Sequence, residues 1–148
     1  MAIALALAAL SAAWDSGPPS LDPPLTSADR SEGRERLIGA WLRESTQDGV
    51  RTQRILTLEA DGDFREVARV VDPQGTSSDH AHQGTWLFDG ANLKRKYTLI
   101  DGKPPSRLRV PFATFEITFD TRNEFTGVDH IHGNRIRYTR VAPETRLE

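Results

Sequence analysis

The sequence predicts an all-β domain, an antiparallel meander of about eight strands that closes into a small barrel. From Leu37 onward, apolar residues recur with a period of two rather than 3.6, most clearly between Phe115 and Phe119. Turn-forming pairs such as Asp61-Gly62 interrupt this alternation at nearly regular spacing. A meander of that size removes its two exposed edges by closing, which is why we expect a barrel rather than an open sheet.

Each predicted strand alternates its side chains between the core and the solvent. The strands are Leu37–Leu42, Gln53–Ala60, Phe64–Val71, His82–Phe88, Leu93–Ile100, a sixth that begins at Arg107–Val110, breaks at Pro111 and continues over Thr114–Phe119, and the last two, Phe125–Ile131 and Ile136–Val141. We expect a type I′ turn at Asp61-Gly62, and a two-residue turn at Gly133-Asn134 that places Ile131 and Ile136 on the core face. The residues expected to be largely buried are Trp41, Leu58, Phe64, Trp86, Phe115, Ile117 and Ile131.

Composition divides the chain into four parts. They are a signal-peptide remnant (1–13), a proline-rich flexible and disordered linker (14–35), the barrel domain (36–142) and a disordered tail with a cloning scar (143–148). The first part is too short to span a bilayer and offers Ser11-Ala12-Ala13 as a small-residue cleavage site. The polar stretch Thr26–Glu35 favours one short helix before the first strand. We therefore expect an exported protein of the periplasm or cell envelope, free or tethered to the membrane.

The overall composition limits the possible partners. The chain has 148 residues, which favours one domain, and 37% of them are hydrophobic. The formal net charge of −2 gives no reason to expect nucleic acid, although residues 91–142 are basic and the first 90 residues are acidic. With no cysteine, disulfides and thiolate metal sites are excluded. We expect a monomer without a cofactor.

Three short motifs carry a resemblance to a known family. They are Gly39-Ala40-Trp41 on the first strand, the turn Ala60–Phe64, and the block Gly84–Leu93. Together they resemble bacterial exported lipocalin-like domains, over about residues 37–141. The resemblance implies a lipocalin-like barrel in which an arginine packs over the first-strand tryptophan, with Arg137 or Arg140 as candidates. It implies no particular ligand, because many such domains have none assigned.

Two glycines each stand two residues before a tryptophan. Gly39 precedes Trp41 and Gly84 precedes Trp86, and each glycine leaves room for a bulky ring over the backbone. We expect both tryptophans to pack in the core near one end of the barrel, with ligand stacking as the alternative.

The candidate ligand site is a set of polar residues in phase with core residues. If Trp86 and Phe88 face inward, His82 shares their side of the strand, as does His80 if the strand extends that far. Arg95, Tyr97 and Leu99 share a side of the next strand. The residues proposed to bind ligand are His82, Trp86, Phe88, Arg95, Tyr97, Arg107 and Arg109. The expected partner is a small apolar or amphiphilic molecule with an acidic head group.

Two other function classes stay open. The first alternative is a structural or protein-interaction domain whose barrel is filled by its own side chains. The second is an enzyme such as a hydrolase, which we do not expect: Ser77-Ser78-Asp79-His80 is a loop outside any nucleophile motif, and Glu66, Glu116 and Glu124 are expected to face solvent. The pairs His80/His82 and His130/His132 have a chelating spacing, but arginines expected opposite the second pair disfavour a bound cation, so no metal is expected.

Overall fold

The computed structural model describes residues 27–107 and 111–148, and it shows a closed barrel of eight antiparallel strands in sequence order. The predicted fold class is therefore confirmed, including the short helix before the first strand. The elements are α1 (Ser27–Leu37), β1 (Gly39–Gln47), β2 (Val50–Leu58), β3 (Asp63–Val71), β4 (Ser77–Phe88), β5 (Asn92–Ile100), β6 (Phe112–Thr121), β7 (Glu124–Asp129) and β8 (Asn134–Val141). A short seam between β1 and β8, from Ala40 opposite Val141 to Leu42 opposite Thr139, closes the barrel.

Several expectations concern the segments before the barrel and the loop that contains Arg109. The signal remnant and most of the linker lie in residues 1–26, outside the described residues, and Arg109 also lies outside them. Residues 27–35, the last part of the predicted linker, belong to α1, which is the short helix expected before the first strand. No helix within 27–107 or 111–148 is long and apolar enough to cross a membrane.

The helix α1 covers one end of the barrel, which we call the closed end. Leu37 at its last turn and Trp41 on β1 have no exposed surface. The indole Nε1 of Trp41 donates a hydrogen bond of 2.8 Å to the carbonyl of Leu37, so the ring is buried with its polar atom satisfied. The opposite end, where the β1–β2, β3–β4, β5–β6 and β7–β8 connections lie, is the open end.

Arg140 on the last strand holds the helix to the barrel. Its guanidinium lies 4.3 Å from the centre of the Trp41 ring and donates to the carbonyls of Arg36 at 2.6 Å and Ile38 at 2.9 Å. Of the two candidate arginines, Arg140 is thus the one over the tryptophan. Gly39 makes room for this guanidinium rather than for a ring, because a Cβ there would lie 2.6 Å from Arg140 Nη1.

A core of aromatic and aliphatic side chains fills the closed half. Its buried members are Leu37, Trp41, Leu56, Leu58, Phe64, Trp86, Leu93, Phe115, Phe125, Ile136 and Tyr138. The predicted burial is confirmed for five of the seven residues, whereas Ile117 is partly buried and Ile131 is 85% exposed. Five of these eleven buried core residues were therefore predicted from the alternating pattern of the sequence.

The exposure of Ile131 follows from the true turn between β7 and β8. The strand pairing ends at Asp129 opposite Asn134, which leaves residues 130–133 as a four-residue loop instead of the predicted two-residue turn. The Asp129 carboxylate accepts a hydrogen bond of 2.9 Å from the Ile131 amide, and Gly133 takes a left-handed φ of 70°. The loop therefore carries Ile131 away from the core face on which we expected it.

The type I′ turn lies at a different place from the predicted one. Asp48 and Gly49 have φ values of 53° and 76° and join β1 to β2 with two residues, as that turn requires. At the predicted position, Gly62 has a φ of 94° while Asp61 is not in the left-handed region. The Glu59 amide donates to the Asp63 carbonyl at 2.9 Å, so this connection has three residues.

The C-terminal residues lie along the outer face of β2 to β4. Ile55 points outward from β2 but is only 4% exposed, and it shares a recess of about 220 Å³ with Pro143 and Thr145. Leu147 lies farther along the same face, close to Val67. Of these tail residues, Pro143 and Thr145 are exposed and Leu147 is half-buried.

Candidate ligand-binding site

A group of charged and polar side chains lies inside the barrel, above the aromatic core and toward the open end. We call it the interior cluster, and its members are Arg54, Glu66, His82, Arg95, Tyr97 and Tyr138. The register explains why they meet, since Glu66 on β3 lies between Leu56 on β2 and His82 on β4. Residues paired across antiparallel strands point to the same side of the sheet.

Glu66 is the centre of the cluster. One carboxylate oxygen accepts a hydrogen bond of 2.9 Å from Nη1 of Arg95, and the other accepts one of 3.1 Å from Nη1 of Arg54. The Glu66 and Arg95 side chains are 1% and 3% exposed, whereas Arg54 is 31% exposed and solvent reaches it. Two guanidinium groups thus share one carboxylate, and the three groups together carry an excess positive charge.

The ionisation of these groups is set by their mutual contacts. Burial raises the pKa of Glu66, but the charges of Arg95 and Arg54 outweigh it, so the pKa lies below its ordinary value of 4.5. Burial lowers the pKa of Arg95, but interactions with Tyr138, Tyr97 and Glu66 outweigh the effect of burial, so this pKa lies above its ordinary value. Burial raises the pKa of Tyr97 as well, which keeps its hydroxyl protonated at neutral pH. The cluster therefore contains charged groups inside the barrel.

Four buried polar atoms of the cluster have no hydrogen-bond partner in the structure. They are Nε of Arg54, Nε of Arg95, Nδ1 of His82 and the hydroxyl of Tyr138. The two arginine nitrogens are donors in every state, and the tyrosine hydroxyl can donate. Buried polar groups are otherwise almost always paired, and leaving one unpaired costs about 1–3 kcal/mol. A cluster with an excess of free donors is suited to an anion that accepts hydrogen bonds.

The structure brings together three of the residues that the sequence proposed as ligand-binding. Arg95 and Tyr97 lie in the same phase of β5, and the rings of His82 and Tyr97 meet edge to face at 5.8 Å. The Tyr97 ring also meets Phe64 edge to face at 5.2 Å, so the cluster rests directly on the aromatic core. These three residues form one wall of the interior at the level of Glu66.

The other proposed residues lie elsewhere. Trp86 is 5% exposed and its Nε1 donates to the Glu59 carbonyl at 2.9 Å, while Phe88 packs against Gly33 of α1. Both positions belong to the closed end and to its packing. Arg107 is exposed in the connection between β5 and β6, and Arg109 lies outside the described residues.

A bulge on β5 reverses the predicted orientation of Leu99. The pairing of β4 with β5 shifts between Gln83 and Gly84, so that Ile100, and not Leu99, lies opposite His82. The extra residue reverses the alternation, and Leu99 therefore does not share the side of Arg95. Gly84 allows the strands to approach at this point, since a Cβ there would lie 2.6 Å from the Phe64 ring.

Sequence reasoning missed three members of the cluster: Arg54, Glu66 and Tyr138. Glu66 was expected to face solvent, but it is 1% exposed. A signal was available, because each of the three stands two positions from a buried apolar residue, and Glu66 stands between two of them, Phe64 and Ala68. A charged residue in phase with core residues is informative when the barrel is wide enough to hold it.

The histidine pairs do not form a group of three metal ligands. Among the described residues, the one trio of close metal-binding side chains is Glu59, Asp61 and Asp63 at the β2–β3 turn. Glu59 there already pairs with Arg65 at 3.0 Å, and two of the three carboxylates are exposed. Exposed acidic turns of this kind are common without an ion, so we assign no metal site.

No protein-family model matches the chain, and no curated protein is significantly similar to it. The arguments for function therefore rest on the residues themselves, and the molecular class is that of a small closed antiparallel barrel with a helix over one end.

Proposed function

We propose that this barrel is a small-ligand-binding module, and that its ligand is partly apolar with an acidic head group. The observation that carries the proposal is the set of unpartnered buried donors around Glu66. An acidic head at this level would accept hydrogen bonds from Arg54 and Tyr138 and balance the excess positive charge.

The geometry also favours one orientation of the ligand. The closed half is filled by the aromatic core, so an apolar tail has no room below the cluster. Arg54 is the most exposed of the three charged groups, and it is reached from the open end. The head group would therefore enter first and the apolar part would lie toward the open end, between β2, β3 and β4.

The alternative is a structural or interaction domain with a self-filled barrel. The observation that favours it is the salt bridge of 2.9 Å between Glu66 and Arg95, since a protein can satisfy a buried arginine without any ligand. On this alternative, water would occupy the positions beside the free donors. A binding measurement separates the two functions.

The test compares octanoate with octanol, two probes that differ mainly in charge. We expect octanoate to bind and octanol to bind much more weakly, in a titration followed by amide chemical shifts. Tyr138→Phe should weaken octanoate binding roughly 10-fold, because a hydrogen bond to a charged group contributes about 1.5–3 kcal/mol. The same variant should raise the free energy of unfolding of the free protein by up to about 1–3 kcal/mol, since it removes a buried hydroxyl that has no partner there.

Two results would contradict the proposal. If octanol bound as tightly as octanoate, the site would recognise apolar surface and not an acidic head. If no inward-facing amide moved at millimolar probe, the self-filled barrel would be the better description. Phe112→Ser, an exposed residue on the outer face of β6, serves as the control variant that should leave binding unchanged.

We further propose that the module works outside the cytoplasm, in the periplasm or cell envelope. The support is the apolar, small-residue composition of residues 1–13 followed by a proline-rich stretch. N-terminal sequencing of protein from its natural source checks this directly. An intact Met1 in a cytoplasmic fraction would contradict it.

A further inference from the structure

Three histidines near the open end each contact a carboxylate. The pairs are His80 with Asp101 at 3.0 Å, His130 with Glu116 at 2.6 Å and His132 with Asp129 at 2.7 Å. Among the residues that the structure describes, His80 alone also has a hydroxyl at its other ring nitrogen, since Ser78 Oγ lies 3.4 Å from His80 Nε2. The difference sets this histidine apart from the two others.

The serine and the histidine are brought together by the strand itself. Ser78 and His80 are two residues apart on β4 and therefore lie on the same face of the sheet. The sequence analysis set this segment aside as a loop outside any nucleophile motif, whereas the structure places it at the start of β4. Asp79 forms a salt bridge of 2.8 Å with Arg69, and the acid that contacts His80 comes from the end of β5.

Asp101 is held in place from two sides. One carboxylate oxygen contacts Nδ1 of His80, and the other accepts a hydrogen bond of 3.0 Å from the Ala81 amide. The Asp101 amide also donates to the Ala81 carbonyl at 2.8 Å, and Asp101 has a φ of 50°, which is uncommon for a residue other than glycine. A backbone conformation of this kind, fixed by three contacts, directs the carboxylate at the imidazole.

The order of contacts fixes the useful tautomer of the histidine. A carboxylate at Nδ1 keeps the proton on that nitrogen, so the lone pair of Nε2 points toward the serine hydroxyl. The hydrogen bond from His80 and the one from the Ala81 amide lower the pKa of Asp101, so the carboxylate stays ionised at neutral pH. In this state Nε2 can accept the serine proton.

We propose that Ser78, His80 and Asp101 form a nucleophilic site at the open end that transfers small acyl groups from esters to water. Access is direct, because the side chains of His80 and Asp101 are 40% and 47% exposed. His80 and Asp101 also line a recess of about 420 Å³ on the outer side of β3 and β4, together with the apolar side chains of Val67, Ala81 and Leu147. A short acyl group could lie in this recess beside the imidazole. The His80 ring stacks on the ring of His82 with 6.4 Å between their centres, so the site borders the interior cluster. None of its three side chains belongs to that cluster, and the proposal does not depend on the ligand proposed above.

The reaction would run in two balanced steps. Ser78 Oγ attacks the ester carbonyl, its proton passes to His80 Nε2, and the bond to the alcohol breaks as that alcohol takes the proton from His80. Water then attacks the acyl-serine and gives its proton to His80, and this proton returns to Ser78 as the acid leaves. Asp101 stays ionised throughout and stabilises the imidazolium in both steps.

The expected activity is modest. Proton transfer by a positioned base contributes about 10²- to 10⁴-fold, and the exposed position leaves the oxyanion to be stabilised by water. An activated neutral ester such as p-nitrophenyl acetate is therefore the appropriate probe. With the full chain, we expect catalysed release of p-nitrophenol and transient acetylation of Ser78, read by mass spectrometry of the quenched protein.

Variants of the three residues test the assignment. Ser78→Ala and His80→Ala should reduce the rate to that of the uncatalysed reaction, and Asp101→Asn should come close to it because the amide no longer fixes the tautomer. Ser77→Ala removes the neighbouring hydroxyl and His132→Ala removes a histidine–carboxylate pair without a serine. Both of these control variants should keep the full rate.

The proposal is overturned if Ser78→Ala retains the rate in a protein whose thermal unfolding matches the parent. It is equally overturned if the acetyl group is found on a lysine such as Lys96 and not on Ser78. If Ser78→Ala unfolds, Ser78→Thr is used in its place, because threonine keeps a hydroxyl. The position of the acetyl group in the parent protein, read by mass spectrometry, then decides the assignment. A failure here would leave the octanoate experiment unaffected.

Discussion

The two halves of this barrel follow opposite rules of packing. In the closed half, buried side chains are apolar or have their polar atoms satisfied, as Trp41 Nε1 is by the Leu37 carbonyl. In the open half, Glu66 and Arg95 are buried as charges. Tyr138 lies at the boundary, with its ring in the core and its hydroxyl in the interior cluster without a partner. Burial of apolar side chains is non-directional and stabilises the fold without specific partners. A buried charge, in contrast, destabilises the fold unless each of its hydrogen-bonding groups is paired.

The difference suggests that the closed half of the barrel supplies stability and the open half supplies the groups for binding. The closed half buries enough apolar area to hold the fold, so the open half can contain groups that reduce stability in the free protein. Unpartnered donors are unfavourable until a ligand supplies an acceptor, and the gain on binding includes the removal of that penalty. The comparison predicts that changes in the two halves will affect stability for different physical reasons.

The largest expected effect comes from the closed half. Trp86→Ala removes a side chain that is 5% exposed, its hydrogen bond to the Glu59 carbonyl and its contact with Arg34, 4.7 Å from the ring centre. We expect a loss of about 4–5 kcal/mol in the free energy of unfolding, from transfer energy and the cavity left behind. Chemical denaturation measures it.

A neighbour on the same strand gives the matched control. Leu87→Ala alters a side chain that faces outward and is 53% exposed, and it should change stability by less than about 1 kcal/mol. A loss below about 1 kcal/mol for Trp86→Ala would show that the closed end is not the stable half, and the comparison would fail.

A slightly smaller effect is expected in the open half. Glu66→Gln leaves Arg95 buried without its counter-ion, and removal of one partner of a buried ion pair costs about 3–5 kcal/mol. The double variant Glu66→Leu with Arg95→Met removes both charges, and we expect most of the stability to return. If Glu66→Gln were as stable as the parent, the ion pair between Glu66 and Arg95 would make no measurable contribution to the free energy of unfolding.

The dependence on pH sharpens this result. Because its folded-state pKa is lowered, Glu66 contributes stability that is fully present above the unfolded-state value, about 4.3, and is lost as the pH falls through the lower folded-state value. Exposed carboxylates with lowered pKa values, such as Asp79, are present in both proteins and cancel in the difference. The stability gap between the parent and Glu66→Gln should therefore narrow below about pH 4.

The closed half was also the half that the sequence predicted better. A period of two identifies residues on the core face as long as strands are regular, which is why Trp41, Leu58 and Trp86 were recognised. The same pattern places His82 in phase with Trp86, and the pairing of β4 with β3 agrees. Local alternation is enough here because each of these strands keeps its phase.

The open half was predicted less well because its geometry depends on non-local contacts. The bulge on β5 reverses the phase at Leu99, and no local feature of that strand requires it. Glu66 can be buried because the guanidinium of Arg95, 29 residues later in the chain, reaches its carboxylate across the barrel. The sequence of β3 by itself does not reveal this partner, so it favours a solvent-facing acid. The three-residue turn after Glu59 and the four-residue loop after Asp129 were likewise selected by hydrogen bonds, not by composition.

The smallest expected effect tests the corrected loop between β7 and β8. Ile131→Ser alters a side chain that is 85% exposed, so it should change the free energy of unfolding by no more than about 0.5 kcal/mol. Ile136→Ser, on the core side of the same hairpin and 9% exposed, should lose about 2–4 kcal/mol because a buried aliphatic side chain is replaced by a smaller polar one. Equal losses for the two isoleucines in a denaturation series would mean that the shorter two-residue turn forms in solution, with Ile131 on the core face. The loop in the structure makes the opposite prediction, because the Asp129 carboxylate that caps it fixes Ile131 outside the barrel.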